Sequence, residues 1–242
     1  MSTIAIIQPA RIGDIIICLP IAKYFADKGH KVLWPISSAF YKMFVSVVEY
    51  AEFWAVSDDI NFCVRDALQV ARRFNVDQII NLSFGFYTME KLGEQWGASG
   101  LTFDAFKYQL AGVPFEEKWN LKINRNLQDE QNVFNNVVKS SKYMVCHIQT
   151  SRGCGLERLK LQEPMSNYQI IHVDKDQDGI TGVFSWLTVL EKASKVVLSN
   201  SSFLNLTNQL NVGESNRIFM KNCPNNKMTI EQPALNAVLL GL

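Results

Sequence analysis

The sequence predicts an α/β protein made of two parallel-sheet domains, and three observations carry that prediction. Short β-branched apolar runs alternate with longer runs at helical spacing. The first strand–helix–strand unit closes within residues 3–36, the signature of a crossover between parallel strands. The same alternation restarts after a polar connection in the second half of the chain.

Taken in order, TIAIIQ (3–8) is apolar on both faces, as a strand buried inside a parallel sheet must be. GDIIICLPIAKYFADKG follows at helical spacing and stops at Lys28-Gly29. HKVLWPI is the second strand. AFYKMFVSVVEY reads as a helix, AEFWAV as a short strand and FCVRDALQVARRF as an amphipathic helix. VDQIINLSF is a further strand running into a loop, SFGFYTMEKLGEQWGASG. TFDAFKYQLAGV is helical and ends near Gly112, PFEEKWNLKINRN is a connection, and residues 129–139 form a helix. KYMVCHIQT then opens a second region, with YQIIHV and KVVLSN as strands and GVFSWLTVLEKA and SFLNLTNQL as helices. The economical division is 1–128 and 129–242, two α/β/α halves facing a cleft with the second the smaller.

Composition narrows the function. The chain has 242 residues, 48% apolar and 19% charged, and a net charge of +1. Lys plus Arg against Asp plus Glu is 13 to 13 in residues 1–125 and 11 to 10 in 126–242, so no global basic surface demands nucleic acid or an anionic membrane. Five scattered cysteines without a CxxC pair fit free thiols in a reducing, cytoplasmic setting. No window of ~18 uninterrupted apolar residues and no basic-then-apolar leader occur, so a protein without an integral membrane segment is expected.

Motif absences exclude several enzyme classes. Three histidines, none at HExxH spacing, argue against a zinc hydrolase. The lack of GxSxG and GxxxxGK[ST] argues against an α/β-hydrolase and a P-loop kinase. A dehydrogenase or methyltransferase would show a glycine-rich first turn and an acidic end to strand two, which instead ends in Trp34-Pro35-Ile36. The acidic run HVDKDQDG (172–179) lacks the later Glu of a calcium loop.

Three stretches can carry chemistry. PARIGD (9–14) stands at the end of strand one, where open parallel sheets bind ligands, and Asp14 there is either a helix cap or a chemical group. HIQTSRG (147–153) follows the first strand of the second half. Thr150, Ser151 and Arg152, with Arg158 and Lys160 close by, form either a solvated polar loop or an oxyanion site. His147 reads as a structural histidine. VVLSNSSFLNLTNQL (196–210) places Asn-Ser-Ser before a helix, as a capping motif or as a cradle for a pyrophosphate.

Together these stretches resemble glycosyltransferase family 9, the heptosyltransferase-like group with the two-domain GT-B fold of Rossmann-like halves. IAIIQPARIGDIIICLPIAKYF resembles the family's N-terminal strand, Gly-Asp and helix, with Gly13-Asp14 in place and Pro20 one turn on. VLEKASKVVLSNSSFLNLTNQL resembles the donor motif Asp-[TS]-Gly-x-x-His-Leu-[TA]-A. Asn200 takes the Asp position, Ser201 the Thr/Ser, Ser202 the Gly and Asn205 the His, and Leu206-Thr207 match. VCHIQTSRG resembles the donor-phosphate loop, and FDAFKYQLAGVPFEEKWNLKI the end of the family's N-terminal domain.

The resemblance implies inverting transfer of a sugar from a nucleotide-diphosphate sugar to an acceptor hydroxyl, without an essential metal or other cofactor. It implies Asp14 as general base, Arg11 and Gly13 at the acceptor, and Thr150, Ser151, Arg152, Asp174, Asn200, Ser201, Ser202 and Asn205 at the donor. The N-terminal half would bind the acceptor and the C-terminal half the nucleotide sugar. The implied acceptor is a glycan of lipopolysaccharide type, or a hydroxymethylated base of phage DNA in a compact phage-type member. The alternative is a non-catalytic nucleotide- or sugar-binding module on a degenerate transferase fold.

Overall fold

A computed structural model of the chain describes residues 1–84, 89–147, 164–173, 182–199, 201–213 and 217–219. The chain divides into two compact units, the first spanning Met1–Asn124 and the second beginning at Arg125.

The first unit alternates strand and helix from its start: β1 (Thr3–Ile7), α1 (Ile12–Asp27), β2 (Lys31–Ser37), α2 (Ser38–Val45), β3 (Glu52–Val56), α3 (Cys63–Arg73) and β4 (Gln78–Asn81). Helices α4 (Met89–Ser99) and α5 (Phe103–Ala111) follow, then a 3₁₀ turn over Phe115–Trp119. The strands pair in the order β3-β2-β1-β4, all parallel. Central β1 is buried on both faces, Ile4 through Ile7 being at most 1% exposed. The small face of α3, Cys63, Val64, Ala67 and Ala71, packs on Ala5, Ile7, Leu33 and Val56. Proline is tolerated inside β2 because the β1–β2 ladder ends at Leu33, two residues before Pro35.

Two local expectations are corrected in this unit. The stretch expected as a loop after β4 contains helix α4, eleven residues long. Gly93 and Gly97 suggest a loop because each weakens a helix by about 1 kcal/mol. Tertiary contacts override that preference: the Trp96 ring meets Phe103 at 5.4 Å and Phe84 at 6.2 Å, and its indole N–H donates to the Leu101 carbonyl at 2.9 Å. The second correction is to α2, which ends at Val45 instead of running to Tyr50. The amides of Val47 and Val48 both return to the Phe44 carbonyl and close the helix.

The second unit holds β5 (Tyr143–His147), β6 (Gln169–His172), β7 (Lys195–Leu198) and β8 (Arg217–Phe219), with α6 (Leu127–Val137), α7 (Leu187–Lys192) and α8 (Ser202–Gln209). Its strands are again parallel, in the order β6-β5-β7-β8. Strand β8 has no counterpart in the sequence reading. The run expected as one helix, GVFSWLTVLEKA, divides into a 3₁₀ turn over Val183–Trp186 and α7.

Glu130 on α6 ties this unit together. It is 1% exposed and accepts from the Thr188 hydroxyl at 2.7 Å, the Thr188 amide at 3.1 Å and Arg125 Nε at 2.9 Å. Burial alone would push its carboxyl up, but hydrogen bonds from Arg125 and Thr188 outweigh burial and hold it below the ordinary glutamate value. A depressed carboxyl stabilises the fold above its unfolded-state value, and that stability is lost as pH falls toward the folded one. Glu130→Gln is therefore expected to lower the unfolding midpoint at pH 7. The gap to wild type should narrow below about pH 4.5, where the unfolded-state carboxyl becomes protonated; thermal unfolding across pH 3–7 reads both.

Among the described residues no helix is long and apolar enough to cross a membrane.

Candidate functional site

In the first unit the chain leaves β1 toward β2 on one side and later returns to β4 on the other, so the strand order reverses between β1 and β4. At such a switch point the loops at the carboxyl ends of the two strands part and leave a crevice. The residues there are Gln8 and PARIGD after β1, and Leu82 after β4.

The helix cap offered as one reading of Asp14 is not what forms. Helix α1 starts at Ile12, its N-cap is Arg11, and no side chain caps it. Asp14 is the third helical residue and points its carboxylate elsewhere: Oδ1 lies 3.4 Å from Nζ of Lys107 on α5. The carboxylate still gains from the positive end of α1, being in its first turn. Arg11 itself has φ 66° and ψ 98°, a conformation costly for a residue with a Cβ, and its side chain is exposed. Gly13, beside it, is partly exposed.

Lys107 is buried, its side chain 1% exposed. Beside this ion pair with Asp14, it donates to Gln8 Oε1 at 2.6 Å and to the Leu82 carbonyl at 2.7 Å. The ammonium thus has two hydrogen-bond acceptors, from the end of β1 and the end of β4, and one ion-pair partner on α1. The ring of Phe103 stands 4.7 Å from the ammonium and that of Phe84 5.5 Å. Gln8, 3% exposed, is held at both ends: its amide nitrogen donates to the Ala10 carbonyl at 2.8 Å, and its backbone carbonyl accepts from the Trp34 indole at 3.1 Å. Helix α5 is fixed by Tyr108, whose hydroxyl donates to the Ile17 carbonyl of α1 at 3.0 Å. Pro20 leaves α1 short of one amide in this same turn.

Of the residues gathered at this switch point, sequence reasoning singled out Asp14, Arg11 and Gly13 but not Gln8 or Lys107. A signal for Lys107 was present. In FDAFKYQL it shares the i, i+3, i+4 stripe with Phe103 and Phe106, and a lysine on an apolar stripe has to find buried partners.

The second unit repeats the geometry, its order reversing between β5 and β7. There Ser199 donates to the His147 carbonyl through both its amide, at 3.0 Å, and its hydroxyl, at 3.2 Å, and the His147 ring packs on Phe203 at 4.7 Å. Ser201 caps α8, its hydroxyl oxygen accepting from the Leu204 amide at 3.4 Å and keeping its O–H to donate. Ser202 is partly exposed and Asn205 is 5% exposed. Thr150, Ser151, Arg152, Asp174 and Asn200 lie outside the described residues, as do Arg158 and Lys160.

Among the described residues at these two switch points, thiols are held in the neutral form. Cys18 lies one turn beyond Asp14 on α1, and burial pushes its thiol up to about 12 despite the lowering field of Lys107. Burial does the same to Cys146 on β5.

No protein-family model and no curated protein matches the chain by sequence. Comparison with solved structures does find likenesses. A glycosyl transferase family 9 protein from Veillonella parvula DSM 2008 matches over 99% of this chain and 86% of its own, with a TM-score of 0.64 at 11% identity. E. coli heptosyltransferase WaaC, solved with ADP-2-deoxy-2-fluoro heptose, matches over 93% of this chain and 91% of its own, with a TM-score of 0.51 at 13% identity. The chain has the fold of this glycosyl transferase family 9 structure and of this heptosyltransferase, in agreement with the resemblance read from its sequence.

Proposed function

We propose that this chain is an inverting glycosyltransferase that moves a sugar from a nucleotide-diphosphate sugar to an acceptor hydroxyl. The observation that carries the proposal is Asp14: a partly exposed carboxylate at the switch point of the first sheet, held by a buried lysine, on the fold of glycosyl transferase family 9.

In this scheme Asp14 takes the proton of the acceptor hydroxyl as that oxygen bonds to the anomeric carbon. The bond from that carbon to the diphosphate oxygen breaks on the opposite face, and its electron pair leaves with the nucleotide. The first unit is the acceptor side, with Arg11 and Gly13 beside the base. The second is the donor side, where Thr150, Ser151, Arg152, Asp174, Asn200, Ser201, Ser202 and Asn205 meet the nucleotide diphosphate. Hydroxyls, a guanidinium and the N-terminus of α8 suit the charge that develops on the leaving group. The scheme needs no metal. The acceptor we favour is a glycan, because the even charge balance supplies no broad basic face for DNA.

A thermal-shift screen of nucleotide sugars tests the donor side. A ligand that binds only the folded state raises stability by RT ln(1+[L]/Kd), about 2.7 kcal/mol at a hundredfold excess over Kd. One nucleotide sugar and its nucleoside diphosphate are expected to raise the midpoint by several degrees. If none does, the transferase reading fails. Turnover assays with glycan and with hydroxymethylated DNA then assign the acceptor, and binding without any turnover leaves the non-catalytic module.

A further inference from the structure

Helix α5 contributes to two buried ion pairs, and the contrast between them is informative. Asp104 pairs with Lys118 of the following 3₁₀ turn, and both side chains are sealed, 3% and 0% exposed. Lys107 pairs with Asp14, and here only the lysine is sealed: its side chain is 1% exposed while that of Asp14 is 16% exposed. The second pair therefore has an inner end fixed by the fold and an outer end that solvent, or an acceptor, can reach.

Lys107 is not placed to bind substrate. Its ammonium already donates to Gln8 Oε1 and the Leu82 carbonyl and forms an ion pair with Asp14 Oδ1, and the rings of Phe103 and Phe84 flank it. What this arrangement can do is hold one carboxylate oxygen. Water is kept from the inner end, so the attraction is screened less than at the surface. The 3.4 Å separation from Asp14, against 2.6 and 2.7 Å to the neutral acceptors, shows that the lysine is anchored by Gln8 and Leu82 and presented to the aspartate.

We infer that Lys107 is a positioning residue for Asp14: anchored by Gln8 and the Leu82 carbonyl, its ammonium fixes Oδ1 of Asp14, leaving the second carboxylate oxygen as the one that receives the acceptor proton. This rests on the transferase reading for its role in turnover, but the coupling between the two side chains exists whatever the protein does. Gln8 has a part of its own. Its amide is fixed by Ala10 of the loop before α1, so the loop that carries Asp14 and the lysine that holds it share one anchor.

A double-mutant cycle of Lys107→Met and Asp14→Asn, read in two ways, tests the inference. Thermal unfolding of the four proteins without substrate should be non-additive, the double variant losing less than the sum of the two single losses. In turnover, Lys107→Met should lower kcat at least tenfold with the donor KM changed less than threefold. In the Asp14→Asn background the same substitution should change the residual rate less than twofold. Equal losses in both backgrounds would make Lys107 merely structural and overturn the inference.

The two failures separate cleanly. Coupled unfolding with no turnover of any nucleotide sugar sinks the transferase reading and leaves the pair standing. Additive unfolding in a protein whose turnover depends on Asp14 sinks the pair and leaves the transferase. Should Lys107→Met not fold, Gln8→Met loosens the lysine while keeping both charges. It should lower kcat threefold or more only when Asp14 is present, and an equal loss without Asp14 refutes the inference.

Discussion

Asp14→Asn is expected to leave the protein folded and to lower sugar transfer by about 10²–10⁴-fold, the usual contribution of a positioned general base. The fold survives because Asn keeps the shape of the side chain and Lys107 keeps its hydrogen bonds to Gln8 and the Leu82 carbonyl. The midpoint of unfolding should move by no more than a few degrees. The loss should fall on kcat, since removing a proton acceptor alters the transition state more than donor binding. Normal turnover by this variant would remove Asp14 from the chemistry.

The largest effect on stability is expected at the other buried pair. Asp104 is 2% exposed and Lys118 0% exposed, and the lysine stands 4.6 Å from the Trp119 ring centroid and 5.5 Å from that of Phe115. Removing one partner strands a charge out of reach of water, which typically costs about 3–5 kcal/mol. That is a large share of the roughly 5–15 kcal/mol that holds a domain together. Asp104→Leu is therefore expected to lower the melting midpoint by roughly 10 °C or to prevent recovery of folded protein. Replacing both partners, as in Asp104→Leu with Lys118→Met, should restore much of the loss, because no charge is then left unpaired. An unchanged midpoint in the single variant would show that the pair is not a keystone of this unit.

The two lysines also show where sequence reading reaches its limit. The strands and the order of helices were legible because burial in a parallel sheet imposes continuous apolar runs, as in Ile4–Ile7 and Tyr143–Cys146. Asp14 was legible because a Gly-Asp pair at the end of a first strand falls where ligands bind. Its partner was not. Lys107 lies 93 positions away in sequence, and only the β1–β4 pairing carries α5 back to the end of β1. Helix α4 was hidden for a similar reason, its glycines indicating a loop until Trp96 finds Phe84 and Phe103. Arg11 as N-cap was hidden because cap rules favour Ser, Thr, Asp and Asn, and here the backbone turns without a side-chain cap.

The candidate site of the second unit is legible mainly as a motif. Ser201 does cap α8, as small hydroxyl residues before a helix should. The same hydroxyl can serve a diphosphate through its own O–H, so the cap and the cradle are compatible readings of one residue.

In the proposed reaction Asp14 activates an acceptor hydroxyl for direct displacement at the anomeric carbon. The measurement that reaches it most directly is proton NMR of the product formed from the nucleotide sugar selected by the thermal-shift screen. A new anomeric signal of inverted configuration is expected, appearing with release of the nucleoside diphosphate and lost in Asp14→Asn. Retention of configuration, or an inverted product formed equally fast by Asp14→Asn, would contradict it.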